Sequence, residues 1–295
     1  MSFQEAEKKM KPKKINISSS YIFEDEEYIF PGVERGEIAI FAGAGGLGKS
    51  FLAQEWAMEL SAGEKMTGIS SFFSPPRKVL YVCWEGGEKE VKKRAVAIFR
   101  AMPTLLKKEK EIQKNLYMCS RRGMGPLFFA EKENTEKIQE YVEFFKNFDF
   151  VILDPLSRVF CGEETNTNFS ILVSWLEKIA IQANVAILLL HHVAKNAVVD
   201  GYDDTWVGIR GGSTLITSVR CALTLSLPKK NQNSQEQVKL NFVKLNNAPP
   251  IPPIMLCHGK EGVLSEKNIQ KERAASFAAL EEEEMPSEFR KFFKK

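Results

Sequence analysis

Short apolar runs alternate along this chain with longer stretches in which apolar positions return every three or four residues. Residues 38–42, 78–84, 115–119, 149–154 and 185–191 carry the first pattern and read as strands. Residues 49–62, 88–101, 133–147 and 168–183 carry the second and read as helices. Runs such as Phe150-Val151-Ile152-Leu153 are apolar on both faces, which suits a strand covered on both sides. The expected fold is therefore α/β, a mostly parallel twisted sheet with helices on both faces. After Gly212 the pattern changes to shorter β-like segments at 219–226, 237–246 and 252–257, joined by polar turns such as 228–235. These are expected to extend the same sheet as antiparallel strands. Residues 28–265 form the expected folded unit. The first 27 residues, with Lys8, Lys9, Lys11, Lys13 and Lys14, read as a mobile basic arm. Residues 266–295 read as a charged, weakly docked helical tail, with the acidic block Glu281–Glu284 and the basic cluster Arg290–Lys295.

Composition narrows the class. At 295 residues and 44% hydrophobic content the chain can bury a sizeable core. Its longest uninterrupted apolar run, Val185–Leu190, is far short of the ~20 residues a membrane span needs, and the first residues are too polar for a signal peptide. A cytoplasmic location and no membrane partner are expected. The cysteines Cys83, Cys119, Cys161, Cys221 and Cys257 include no C-x-x-C pair, so they read as mostly buried thiols rather than a disulfide framework or zinc site. Cys257-His258 alone lacks the ligand count for a metal. A net charge of +3 means that any surface for nucleic acid is local.

The candidate chemistry begins at Gly43-Ala44-Gly45-Gly46-Leu47-Gly48-Lys49-Ser50, between a strand and a helix. Glycines let successive backbone N–H groups turn inward on a triphosphate, Lys49 brings a charge to the outer phosphates, and Ser50 offers a hydroxyl to Mg²⁺. ATP and Mg²⁺ are the expected ligands. The strand 149–154 ends in Asp154, a second group for Mg²⁺. Pro155 follows it rather than Glu, so the carboxylate that activates water has to come from elsewhere. Glu85, directly after the strand 78–84, is the candidate. His191-His192 stand at a third strand end. Neighbours in a strand face opposite ways, so one of the two is expected to sense the γ-phosphate. The Asp- and Gly-rich stretch from Lys195 to Val207 reads as a mobile functional loop.

Together Phe30-Pro31-Gly32-Val33, the loop 43–50, Trp84-Glu85, Asp154-Pro155-Leu156-Ser157-Arg158, His191–Lys195 and Arg210-Gly211-Gly212-Ser213 resemble the RecA-like hexameric replicative helicases. The resemblance is closest to the RepA-type plasmid replication helicases and runs from about Tyr28 to Pro253. It implies a RecA-like P-loop NTPase fold, with Glu85 activating water, His192 on the γ-phosphate, and Arg220 acting in the neighbouring subunit's site, Arg210 being second choice. The Lys-x-Arg signature of the bacterial relatives is matched only in part by Lys244-Leu245-Asn246, where Asn replaces Arg. Lys244 is carried over as a nucleotide-binding residue. Arg94 falls where the family has an Arg that stacks on adenine, although a solvated helix Arg fits as well. The family's DNA-facing loops correspond to 160–168 and 195–207, which offer Phe160, Phe169, Tyr202 and Trp206 for stacking but carry Asp200, Asp203 and Asp204 with a single Lys. The implied function is an ATP-dependent DNA helicase, a homo-hexameric ring on single-stranded DNA in plasmid-type replication, served by a replication initiator or primase. Two alternatives share the fold: an ATP-gated DNA-binding or recombination module without processive unwinding, and a degraded ATPase used as a scaffold.

Overall fold

The computed structural model describes residues 28–266 apart from 70, 71, 73, 131–134, 164 and 229–235. The expected basic arm, and all of the charged tail except Glu266, lie outside the described residues.

The chain opens with β1 (Ile38–Gly43), α1 (Lys49–Ala62), β2 (Val79–Cys83) and α2 (Glu88–Ala101). Two short helices follow, α3 (Pro103–Lys107) and α4 (Glu109–Asn115), then β3 (Leu116–Ser120), β4 (Phe128–Phe129) and α5 (Thr135–Phe145). Next come β5 (Phe150–Asp154), α6 (Leu156–Val159), β6 (Phe160–Cys161), α7 (Asn166–Ala183) and β7 (Ala186–His192). The last part holds α8 (Lys195–Asp200), α9 (Gly212–Ser218), β8 (Cys221–Ser226), β9 (Gln237–Leu245), β10 (Ile254–His258) and β11 (Leu264–Glu266). Nine strands form one sheet in the order β11-β10-β9-β8-β1-β7-β5-β2-β3, while β4 and β6 pair separately.

From β8 to β3 every neighbour is parallel. The strands β9, β10 and β11 add on antiparallel. The expected antiparallel extension is therefore present, but the segment 219–226 is a correction: as β8 it pairs parallel to β1. The reason is α9, which lies between β7 and β8 and supplies the crossover that a parallel connection requires. Its short Gly, Ser and Thr content hid it from the periodicity. The stretch expected as a loop at 195–207 holds α8, with a 3₁₀ turn following at Trp206–Gly208.

Strand alternation sorts the core into two halves. Ile38, Ile40, Val151, Leu153, Ile187 and Leu189 face α5, α7 and α9, while Ala39, Phe41, Tyr81, Ile152, Leu188 and Leu190 face α1. Burial of side chains like these stabilises by about 1.5–3 kcal/mol each before the entropy cost of ordering them. Helix α1 is buried nearly all round. Its polar residues are answered by backbone: Glu59 accepts from Thr67 N at 2.8 Å, and Glu55 accepts from Leu264 N at 2.8 Å. The second bond ties α1 to β11, so the antiparallel edge of the sheet reaches back over the start of that helix.

Candidate nucleotide-binding site

The register brings the expected site residues to one end of the sheet. Gly43, the last residue of β1, pairs with His192 of β7, and Cys83, the last of β2, pairs with Asp154 of β5. Glu85 follows β2 by two residues. All four therefore stand at the carboxyl ends of parallel strands, where an open α/β sheet has its ligand crevice.

Two glycines of the loop after β1 resist replacement, one through a close contact and one through its backbone conformation. At Gly43 a Cβ would come within 2.5 Å of the Leu225 carbonyl oxygen. Gly48 caps α1 at φ 96°, in the left-handed region that L side chains avoid. Gly45 and Gly46 face open space. Lys49 is buried behind the loop, and its Nζ donates to the Gly43 and Ala44 carbonyls, both at 2.8 Å. Burial lowers the Lys49 pKa, and the nearby Asp154 and Glu85 carboxylates oppose that shift.

Asp154 is only 4% exposed and accepts a hydrogen bond from the Tyr81 hydroxyl at 2.6 Å. Burial raises its pKa, while hydrogen bonds from Tyr81 and Ser50 pull it down. A buried carboxylate beside the Ser50 hydroxyl is an oxygen donor set that suits a hard divalent cation such as Mg²⁺. The cleft, about 270 Å³, is lined by Lys49, Ser50, Glu85, Arg94, Asp154 and His192 together with the loop glycines. Glu85 is exposed at its mouth. The preceding Trp84 donates its backbone N–H to the Asp154 carbonyl at 2.9 Å, which ties the end of β2 to the end of β5. Arg94 reaches the cleft from α2, and its buried Nη1 has no hydrogen-bond partner among the described residues.

The two histidines part as strand geometry requires. His192 points into the cleft, half-buried, with its pKa lowered by burial and then by Lys49. His191 is on the other face, buried, with Nε2 2.9 Å from the Arg210 carbonyl oxygen and its ring against Phe169. Burial pushes the His191 pKa down to about 3, so the ring is neutral and Nε2–H donates. Arg210 donates its own N–H to the His192 carbonyl at 3.1 Å, which places it beside this strand end but with an exposed side chain.

Like Arg210, Arg220 and Lys244 do not line this cleft, and the latter two stand far from it. Arg220 precedes β8 and donates its backbone N–H to the Ile38 carbonyl, at the opposite end of β1 from the glycine loop. Its half-exposed guanidinium stands 3.6 Å from Glu37. Lys244 pairs in register with Ala222 near the same end, and its Nζ donates to the carbonyls of Ile216 and Thr217 at 2.8 and 3.0 Å.

Some expectations fail on side-chain burial. Phe160 and Phe169, taken as loop aromatics, are buried, Phe160 near Trp175 and Phe169 against His191. Phe160 lies in the two-residue strand β6 and Phe169 in the first turn of the long helix α7, rather than in open loops. Trp206 is 48% exposed. Cys83 and Cys221 are buried, but Cys119 and Cys161 are exposed and Cys257 is intermediate, so the thiols are not mostly buried. Two neighbours of the site escaped the sequence. Tyr81 carried one signal, a polar tip inside an otherwise apolar strand. His258 had none: it lies against Gly48 only because β10 folds back, a Cβ at Gly48 falling 3.1 Å from the imidazole.

Fold and site together define a RecA-like nucleotide-binding ATPase domain. The chain matches the AAA domain family over residues 11–198, and it belongs to that family. Among solved structures it is similar to one described as an ATPase domain, at 15% identity over 82% of this chain and 93% of that one, with a TM-score of 0.58. It is similar at 16% identity and a TM-score of 0.58 to a DnaB-like replicative helicase whose structure was described with its interactions with primase, covering 79% of this chain and 57% of that one. A third likeness, at 12% identity and a TM-score of 0.51, is to the flagellar accessory protein FlaH from Methanocaldococcus jannaschii, over 82% of this chain and 94% of that one. At these identities the likeness is one of fold. Among the described residues no helix is long and apolar enough to cross a membrane.

Proposed function

We propose that this chain is a cytoplasmic ATP-driven DNA helicase, assembled as a homo-hexameric ring on single-stranded DNA in plasmid-type replication. The observation that carries the reading is the convergence of Lys49, Ser50, Glu85, Asp154 and His192 on one cleft at the strand ends. These are the parts that phosphoryl transfer to water needs: a phosphate cradle, a cation site, a base and a γ-phosphate contact.

In this reading the loop 43–50 holds the β- and γ-phosphates through backbone N–H groups and Lys49 exchanges its loop carbonyls for phosphate oxygens. Ser50 and Asp154 hold Mg²⁺, which neutralises charge on the phosphates when bound. Glu85 takes a proton from water as its oxygen bonds to the γ-phosphorus and the bond to the β-phosphate oxygen breaks, leaving ADP and inorganic phosphate. His192, neutral because of burial and Lys49, donates to the γ-phosphate and reports its loss through β7 to the residues that follow. Arg94 packs on the base. Arg220 cannot reach this cleft from the far end of β1 and serves the neighbouring subunit's ATP, with Arg210 as the second candidate and Lys244 beside Arg220 in the same interface.

Support for a DNA ring comes from the likeness to the DnaB-like fold and from exposed groups after β5 and β7, namely Arg158, Lys195 and Trp206. With one exposed aromatic and several Asp in that region, the ring shares DNA contact among subunits. An initiator or primase is the proposed partner. Strand displacement with ATP against a non-hydrolysable analogue, paired with electron microscopy, tests the reading. Closed rings that unwind only with ATP support it. Open filaments that bind DNA tightly with the analogue and never unwind would replace it with the ATP-gated binding module.

A further inference from the structure

Beside the nucleotide cleft, and sharing Phe51 and Arg94 with it, lies a larger groove of about 930 Å³ along the outer face of α2. Its rim is cationic, with Lys89, Lys92, Lys93, Arg94 and Arg100 against the two carboxylates Glu88 and Glu261. Those carboxylates are already engaged: Glu88 with Lys92 at 2.5 Å, and Glu261 with Arg100 at 3.0 Å. Lys89, Lys93 and Arg94 have no ion-pair partner among the described residues. The floor, Phe51 with Val96 and Ala97, is apolar. The surface therefore fits a short acidic segment with apolar neighbours.

The chain supplies such a segment close by. The groove's far wall is Glu261, on the turn between β10 and β11, and β11 ends at Glu266 only five residues later. Fifteen residues beyond Glu266 comes Glu281-Glu282-Glu283-Glu284, flanked by Leu280 and Met285. Glu272 and Glu288 of the same tail stand singly near Lys271, Arg273, Arg290 and Lys291, so the four-residue block is its one run of uncompensated negative charge. Fifteen residues reach at most about 50 Å, so tethering holds the block at an effective concentration on the order of millimolar around its own groove. At that concentration a few exposed ion pairs, each weak alone, suffice for substantial occupancy.

We infer that the acidic segment Glu281–Glu284 docks in the α2 groove of its own chain and, by covering Arg94 and the mouth of the cleft, holds back nucleotide binding. The regulatory half rests on the reading of the cleft as a nucleotide site; the docking half does not. A tail seated in roughly 80–90% of molecules weakens apparent nucleotide affinity about five- to tenfold, because only the uncovered fraction is competent.

The full-length protein, mixed with an isotopically heavy copy and treated with a zero-length carbodiimide reagent, gives the direct test. Mass spectrometry should find Lys89 or Lys93 joined to Glu281–Glu284 within one chain, and the links should vanish at 1 M NaCl. Absence of these links at low salt, or links only between heavy and light chains, overturns docking in cis. Equilibrium binding of a fluorescent ATP analogue then tests the consequence in full-length E281Q/E282Q/E283Q/E284Q and in K89E/K93E. Both should bind about five- to tenfold more tightly than the parent, and unchanged affinity overturns the regulation. Failure of parent and variants alike to bind the analogue would instead sink the nucleotide reading, with the cross-links still deciding where the tail sits.

Discussion

The two ends of β1 carry different kinds of chemistry. At its carboxyl end, Gly43 meets His192, and Lys49, Ser50, Glu85 and Asp154 close around one cleft, with Lys49 and Asp154 buried and shifted in pKa and Glu85 exposed at the mouth. At its amino end, Ile38 receives the Arg220 N–H, and the nearby Arg220 and Lys244 side chains are turned to Glu37 and to helix carbonyls on a half-exposed surface. Five residues of strand separate these ends, about 16 Å at ~3.3 Å per residue. No side-chain rotation closes that gap. Strand position thus sorts the candidate residues into those that can serve the chain's own nucleotide and those that can serve only another molecule's.

The strongest way to break this contrast is at the carboxyl end. Lys49→Ala should remove hydrolysis and cost roughly 2–5 kcal/mol of ATP binding, since a desolvated phosphate loses its charge partner. Nearly parental affinity in a nucleotide titration would contradict the site. Glu85→Gln keeps the shape of the side chain and removes the base, so ATP binding should persist while turnover drops about 10² to 10⁴-fold. An unaltered rate would move that role to another carboxylate. His192→Ala should retain binding and assembly but lose DNA-stimulated turnover by about 10², the scale of one preorganised donor. If His191→Ala has that effect and His192→Ala has none, the faces of β7 have been assigned the wrong way round.

The smallest expected effect concerns stability. His191 has its folded pKa at about 3, below the ordinary 6.5, so the fold prefers the neutral ring and the unfolded chain takes up the proton first as pH falls. Its contribution is intact above pH 6.5 and is lost progressively between 6.5 and about 3. Urea unfolding at pH 7.5 and 5 should show the parent losing about 2 kcal/mol more than His191→Asn, at ~1.4 kcal/mol per pK unit. Parallel losses in the two proteins would show that His191 does not titrate in this window.

Most of this contrast was legible before any coordinates. The apolar runs located β1, β2, β3, β5 and β7 to within a residue or two, and the strand ends carried Gly43, Glu85, Asp154 and His192 with them. Alternation put His191 and His192 on opposite faces, and the family resemblance chose His192 for the cleft. What stayed hidden depended on contacts between distant segments. Tyr81 and Asp154 are 73 residues apart and meet only through the register of β2 with β5. The parallel pairing of β8 needed α9, whose seven residues are too few to show a period. Phe169 opens the apolar period already read as a helix over 168–183, whereas the burial of Phe160 near Trp175 depends on how the short strand β6 packs against α7.

The claim that the site is completed across an interface is tested most directly by mixing two inactive proteins. Arg220→Ala keeps an intact loop and lacks the trans-acting cation; Lys49→Ala keeps the cation and lacks the loop. Arg220→Ala alone should bind ATP normally and, once assembled, hydrolyse it on the order of 10³-fold more slowly, the scale of a missing arginine finger. Mixed assemblies contain interfaces where one subunit's loop faces the other's Arg220, so hydrolysis should recover in part. No recovery, with subunit exchange verified by native mass spectrometry, would mean that Arg220 acts within its own chain or not at all.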